Sequence, residues 1–386
     1  MLIFAGLFVF FFVIHPLIIF DGDDWYNIYY ARTPFPSLFS WNPTRILPEI
    51  LMPTVSSLAA YVIYPLIGDY IGSLSLMYGL VFSGFIWAYV VMLKRMTGIR
   101  SERNSLWAGW CTAVLFLIMH FLVFRIRYEQ NGFLFASTDV TCVFFYLIPC
   151  LLNFIIVLGM ERWHRRQPEE REMSTRVKAT YVLLIYLAVF SNLYSSIILA
   201  AYAAISLLMD LFENNMTKGN RIAYIAIVVL WILSCLFEMT GGRASAGESG
   251  NWLEALGATL LLFRKSLVGT NKFLVLQFSV IAIAGISILF VRKKKKDYLN
   301  GYGLTAFKMM LCAGVTVVWL ILLSSVVNPE YIFREDVLIA FWGFVFIAGM
   351  IVLTYFVQRI KVMRIALPLL LFFSFFQIKK LFKFQS

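Results

Sequence analysis

Charged residues are scarce in this chain of 386 residues. Asp, Glu, Lys and Arg make up 14% of it, whereas a soluble domain has about a quarter. Hydrophobic residues make up 61%, and apolar runs long enough to span a bilayer recur along the whole length. These proportions exclude an ordinary soluble protein. They predict an all-α polytopic membrane protein, in which residues 1–386 form a single integral membrane domain.

Several motif classes are also missing. The five cysteines show no CxxC spacing and the three histidines show no ligand spacing, which argues against a disulfide framework and a thiolate metal site. The chain contains no Walker A sequence, no GxGxxG and no HExxH. We therefore expect no cofactor, and no nucleotide site in the short basic loops.

The apolar runs predict ten or eleven membrane-spanning helices. The first run has no basic start and no small-residue cleavage site, so we interpret it as a retained helix. A short run at 365–377 is either an eleventh helix or an interfacial one. The other runs lie at 2–20, 73–93, 105–124, 139–160, 178–192, 195–212, 222–238, 273–291, 305–327 and 337–357.

Basic residues predict the orientation of the chain in the cell membrane. With a cytoplasmic N-terminus, the loops around 94–103, 162–178, 218–221, 292–296 and 359–364 all face the cytoplasm, and they hold 20 of the 33 Lys and Arg residues. The outer segments are longer but hold nine. The net charge of +12 is thereby explained by topology, and we expect no nucleic-acid partner.

The same charge pattern requires one apolar segment to stay outside the membrane core. A span at 46–68 would invert every later loop, and Pro48, Pro53 and Pro65 are expected to break a helix there. We therefore predict that residues 21–70 form one large extracytoplasmic loop with surface-lying helices. Residues 239–272 form a second long outer loop.

An acidic cluster opens the first outer loop. Asp21, Asp23 and Asp24 directly follow the first apolar run, and carboxylates cannot lie in hydrocarbon. Neighbouring carboxylates repel each other, so one of them can serve as a general base near neutral pH. The alternatives are that the cluster simply ends the first helix, or that Asp21 and Asp23 hold a divalent cation.

Basic residues of the outer segments are candidates for binding phosphate, since Arg binds it bidentately. Arg45 could instead be an interfacial residue that reaches water. Each of the others taken alone is better explained as a surface charge, but their shared location on the outer face favours a common role. The candidate substrate-binding residues are Asp21, Arg45, Glu49, Arg127, Arg243, Arg264, Lys265 and Arg334.

The pattern resembles the GT-C superfamily of membrane glycosyltransferases, particularly bacterial enzymes that modify surface polysaccharides. The resemblance rests on the architecture and on four short segments. These are Asp23-Asp24-Trp25, Asn42-Pro43-Thr44-Arg45, Tyr146-Leu147-Ile148-Pro149 and the segment from Pro329 to Arg334.

The resemblance implies a specific reaction. A sugar would move from a polyprenyl-phosphate donor to a cell-surface glycan or lipid-linked acceptor at the outer face, with inversion, and Asp23 or Asp24 would be the base.

The sequence leaves two alternatives open: a Wzy-like polysaccharide polymerase, and a lipid or sugar transporter. A transporter predicts polar residues at mid-membrane and internal repeats, and neither is evident in the sequence.

The orientation is testable at the basic run Arg292-Lys293-Lys294-Lys295-Lys296. We expect a cysteine introduced in place of Lys294 to react with membrane-impermeant reagents only after cells are permeabilised, because the run marks a cytoplasmic loop. Labelling from outside intact cells would contradict this orientation and the proposed outer site.

Overall fold

The computed structural model describes residues 1–29, 43–97, 103–124, 133–137, 139–164, 174–213, 216–240, 251–271 and 299–359. These residues are helical almost throughout. They contain no strand, only an isolated bridge between Phe124 and Thr270. The predicted all-α class is confirmed.

Twelve α-helices and a short 3₁₀ segment make up the described part of the chain. The 3₁₀ segment, Pro329–Phe333, lies between the last two helices. The helices are α1 (Leu2–Ile14), α2 (Gly22–Tyr29), α3 (Ile46–Ile67), α4 (Tyr70–Thr97), α5 (Arg103–Leu122), α6 (Val140–His164), α7 (Thr175–Val189), α8 (Leu193–Glu213), α9 (Lys218–Thr240), α10 (Trp252–Val268), α11 (Leu299–Val327) and α12 (Glu335–Arg359).

The chain divides into two compact units. Unit 1 contains residues 1–89 and 137–249, and unit 2 contains residues 90–136 and 250–386. A deeply buried helix lies at the centre of each. In the most apolar part of α6, 89% of the residues are buried in unit 1, and the corresponding share for α12 in unit 2 is 83%.

Seven helices of the described residues are long and apolar enough to cross a membrane, which supports a multi-pass membrane protein. They are α3, α4, α6, α8, α9, α11 and α12. Helix α7 has 15 residues, as many as the predicted span 178–192, and is therefore too short to be one of the seven. The predicted spans at 273–291 and 365–377 lie outside the described residues.

The first helix ends earlier than predicted. Helix α1 stops at Ile14 after a π-helical turn, and residues 16–20 are not helical. Pro16 explains the difference, because a proline disfavours helical dihedrals at the residue before it. His15 accordingly has φ −134° and ψ 70°.

The prediction that prolines break the segment after residue 46 is wrong. Helix α3 is continuous over 22 residues. Pro48 lies in the first turn, where no intrahelical N–H bond is lost. Pro53 lies inside the helix, and a π-helical stretch, Ala59–Ile63, precedes Pro65. The location of this helix along the membrane surface stays a prediction.

Aromatic contacts give the relative directions of two helices in unit 1. Helix α4 runs in the same direction as α6, because the ring of Tyr78 lies 5.2 Å from that of Phe144 and the ring of Tyr89 lies 5.5 Å from that of Phe154. Helix α1 runs antiparallel to α4. Phe11 packs on Phe82, and Phe4 on Trp87.

Helix α1 approaches α4 closely at Gly79, which gives a stability prediction. A Cβ atom at Gly79 would lie 3.1 Å from the carbonyl oxygen of Phe11. We expect Gly79→Leu to lower the free energy of unfolding by about 1–3 kcal/mol through overpacking. In the matched variant Gly84→Leu the added Cβ meets no atom within 4 Å. Denaturation of the purified protein in detergent should show a larger loss of stability for Gly79→Leu than for Gly84→Leu. Equal losses of stability would contradict the packing of α1 on α4.

Candidate functional site

The carboxylate of Asp24 is fully buried and anchors the start of α2 to α6. Its Oδ1 accepts hydrogen bonds from the backbone N–H and the hydroxyl of Thr141, at 2.7 and 2.8 Å. Its Oδ2 accepts longer bonds from the N–H groups of Phe20 and Asp21, at 3.3 and 3.5 Å. One side chain therefore closes the turn between α1 and α2 and docks it on the central helix of unit 1.

Two carboxylates meet at the N-terminus of α6. Asp139 is the N-cap residue, and its Oδ1 accepts a hydrogen bond from the N–H of Cys142 at 2.5 Å. Asp24 accepts a hydrogen bond from the N–H of Thr141. Negative charge is stabilised at this end of a helix by the exposed N–H groups and the helix dipole. Both residues thus have a clear structural role.

Asp21 and Asp23 are exposed, in contrast to Asp24. Asp21 Oδ1 accepts a hydrogen bond from the N–H of Asp23 at 3.1 Å, and the carbonyl oxygen of Asp23 accepts one from Asn27 at 2.8 Å. No hydrogen bond or ion pair to the Asp23 carboxylate joins it to another residue of the described ranges. The exposed rings of Trp25 and Tyr26 follow directly. A carboxylate open to the solvent thus lies beside a fixed one and next to aromatic rings.

Arg45 occupies a strained position at the start of α3. Its φ of 58° and ψ of 25° place it in the left-handed region, which non-glycine residues rarely adopt. Two tertiary contacts hold this conformation. The guanidinium lies 3.1 Å from the Glu238 carboxylate, and the N–H of Ile46 donates to the carbonyl oxygen of Phe190 at 3.1 Å. The arginine predicted to bind phosphate is therefore already paired with a carboxylate.

Asp24 and Arg45 are anchored at different heights of unit 1. Asp24 binds Thr141, whereas Arg45 adjoins the turn after α7, where Asn153 donates to the carbonyl oxygen of Ala188 at 3.3 Å. Thr141 and Asn153 are separated by a rise of about 18 Å along α6. Both predicted residues belong to one unit, but the structure does not bring them side by side.

Glu49 lies one turn into α3. Its N–H donates to the carbonyl oxygen of Arg45 at 3.1 Å, within the helix start, and its side chain is half-buried. The prediction that it binds substrate therefore concerns a residue close to the Arg45–Glu238 pair.

Three predicted cations belong to unit 2. Arg334 pairs with the buried Asp336 through Nε, at 3.0 Å, and through a second guanidinium nitrogen, at 2.5 Å. It also lies over the ring of Tyr331 at 5.2 Å. Arg264 and Lys265 are exposed on α10, which packs against the 3₁₀ segment and α11. The binding of phosphate by these cations stays a prediction.

Arg127 and Arg243 lie outside the described residues. Within the described ranges no group of three or more His, Cys, Asp or Glu side chains is arranged to hold a metal ion. Binding of a divalent cation by Asp21 and Asp23 is left to the experiment described below.

The comparisons with known proteins add no assignment. No family model matches the chain, and no curated protein or solved structure matches it significantly. The residues themselves are therefore the basis for a function.

Three partners of the predicted residues were missed in the sequence. Asp336 is two positions from Arg334, a spacing that the sequence offers directly. Glu238 is an acid at the end of an apolar run, which marks it as a residue that needs a partner. Thr141 has no comparable signal, because a threonine in the first turn of a helix is ordinary.

The different roles of the two neighbouring aspartates give a stability prediction. We expect Asp24→Ala to lower the free energy of unfolding by about 1.5–3 kcal/mol, since two buried donors of Thr141 lose a charged acceptor. The matched change at the exposed Asp23, Asp23→Ala, should cost less than about 0.5 kcal/mol. Equal losses in equilibrium denaturation of the purified variants would contradict the anchoring role of Asp24.

Proposed function

We propose that the chain is a membrane glycosyltransferase that moves a sugar from a polyprenyl-phosphate donor to a surface glycan or lipid-linked acceptor. Asp23 is the general base of this reaction. The site is at the extracytoplasmic face, and the seven apolar helices of the described part of the chain support a substrate that arrives through the lipid.

The observation that carries the proposal is the pairing of a fixed and an open carboxylate. Asp24 is buried and binds Thr141, so the backbone at its neighbour Asp23 is held in place. Asp23 is exposed, and its carboxylate has the freedom to accept a proton from an incoming hydroxyl. Between the two candidate bases of the sequence prediction, this contrast favours Asp23.

The surroundings of Asp23 suit a sugar. Trp25 and Tyr26 expose 47% and 62% of their surface, and Tyr29 exposes 87%. Aromatic faces stack on sugar rings, and these residues share the short helix α2 with Asp23. Trp and Tyr also gather at membrane interfaces, where a lipid-linked sugar would lie.

The reaction needs one base. Asp23 would take the proton of the acceptor hydroxyl as its oxygen attacks the anomeric carbon from the side opposite the phosphate. The bond from this carbon to the phosphate oxygen breaks, and the polyprenyl phosphate leaves with the bonding electrons. A phosphate leaving group needs little help from an acid, but its charge is stabilised by nearby cations.

The cations of the sequence prediction are the proposed phosphate ligands: Arg45, Arg127, Arg243, Arg264, Lys265 and Arg334. Arg45 and Arg334 each hold a carboxylate, Glu238 and Asp336. A phosphate that binds either arginine has to displace that carboxylate or share the guanidinium with it. Arg334 is the less available of the two, because two of its nitrogens bind Asp336.

The test is consumption of the donor. We expect the purified full-length chain in lipid nanodiscs to release labelled sugar from at least one member of a panel of polyprenyl-phosphate hexoses, with water in the place of the acceptor hydroxyl. Asp23→Asn should slow this release by about a hundredfold or more, since a positioned base contributes on the order of 10²–10⁴ in rate. The matched control is Asp21→Asn, a second exposed acid of the same turn, which should retain activity.

The other outcomes are equally informative. Loss of activity in Asp24→Asn alone, at unchanged stability, would move the base to Asp24. Loss of activity of the wild-type protein with a chelator would favour a cation held by Asp21 and Asp23. Release from no donor, or full activity in both Asn variants, would overturn the transferase proposal and leave the polymerase and the transporter as the alternatives.

A further inference from the structure

The two buried residues of helix α10 are small and polar, whereas several of its large apolar residues are exposed. Thr259 and Ser266, which are 0% and 2% exposed, lie on the side that faces unit 2. The hydroxyl of Thr259 donates to the carbonyl oxygen of Ala255 at 2.8 Å, so it needs no partner from another helix. The small polar residues thus allow close packing against the rest of the unit.

The opposite face of α10 is an apolar stripe of large side chains. Leu253, Leu260 and Leu267 recur every seven residues and are 66%, 49% and 39% exposed. Leu261 and Val268 extend the stripe, at 51% and 73%. A contiguous exposed patch of this kind marks a surface with an apolar partner. Single exposed leucines would need no such explanation.

Helix length limits the location of this stripe. Helix α10 has 17 residues, which corresponds to a rise of about 25 Å. This rise is shorter than the hydrocarbon core of a bilayer, about 30 Å. A short helix with one apolar face fits the boundary between headgroups and acyl chains.

Two cations lie in the C-terminal half of the stripe. Arg264 is exposed, and the residues three and four positions from it are Leu260, Leu261, Leu267 and Val268. Lys265 is exposed next to it. The acid of the helix, Glu254, lies near the other end and accepts a hydrogen bond from Asn251 at 3.3 Å. The helix itself therefore supplies no carboxylate beside Arg264.

We propose that the exposed face of α10 binds an anionic phospholipid of the bilayer, whose acyl chains cover the leucine stripe and whose phosphate pairs with Arg264 and Lys265. The charge pattern selects this occupant, because a guanidinium among leucines matches a ligand with a phosphate directly above apolar chains. A second copy of α10 aligned in parallel would place arginine against arginine. The proposal needs only a membrane-embedded chain and does not rest on glycosyl transfer; it is an alternative to the role of Arg264 and Lys265 as ligands of the donor phosphate.

The experiment places a fluorophore on the stripe. Leu260→Cys is labelled with a small thiol-reactive dye in a Cys235→Ser background, because the other four native thiols are buried. Nanodiscs contain phosphatidylglycerol and phosphatidylcholine in equal amounts, with brominated chains on one or the other. We expect quenching by brominated phosphatidylglycerol to exceed that by brominated phosphatidylcholine by at least about fivefold, since each cation near the surface contributes about that factor.

Three variants serve as comparison and controls. R264Q/K265Q should remove the headgroup preference and leave total quenching by brominated chains unchanged. E254Q, a charge change on the same helix that removes no cation, should keep the preference. Thr259→Cys, one residue from the labelled position but on the buried side, should not take up the dye.

Each contrary result overturns the proposal. Quenching by iodide would show that the face is in water, and quenching by neither reagent would show that protein covers it, as in a dimer. Equal quenching by the two lipids would leave an apolar contact without an anionic site. Arg264 and Lys265 also lie near the C-terminal end of α10, where positive charge complements the helix dipole. A preference for the anionic lipid that survives R264Q/K265Q would leave the two cations with that role alone. Loss of the preference on adding a polyprenyl phosphate would assign the face to the donor.

Discussion

The structure of unit 1 depends on one buried carboxylate. A charge removed from water is costly unless hydrogen bonds replace its hydration. Asp24 has this compensation at the N-terminus of α6, from the N–H and the hydroxyl of Thr141. Because α6 is the most buried helix of the unit, the chain leaving α1 is fixed to the part of the fold that is hardest to move. The position of α2, and with it the direction of Asp23, follows from this contact.

Three ion pairs of the described ranges lie at helix ends. Arg45 starts α3 and pairs with Glu238 near the end of α9, and Arg221 in the first turn of α9 pairs with Asp210 near the end of α8. Arg334 pairs with Asp336 at the start of α12. An apolar chain with few charges thus pairs these charges with each other at the ends of its helices. A ligand phosphate at Arg45 or Arg334 has to compete with these partners.

Patterns in the sequence predicted the helical class and most of the described helices, because apolar runs of fixed length need no long-range information. The break between the predicted spans 178–192 and 195–212 also lies close to the observed turn, between Val189 and Leu193. Other features depend on tertiary contacts. The prolines of α3 were expected to break a helix that is in fact continuous. The partner of Arg45 is 193 positions away, so no local pattern reveals it.

The carboxylates of the acidic cluster have different surroundings in the structure, which the sequence alone does not reveal. Three carboxylates within four residues look equivalent in a sequence, but neighbouring positions on a helix point about 100° apart. One of them can therefore face the protein while the next faces the solvent. A general base benefits from this arrangement, because its position is held by a neighbour while its own oxygens stay open. Asp23 meets both conditions only because Asp24 is buried. The residue that stabilises the fold is thus also the one that orients the proposed base.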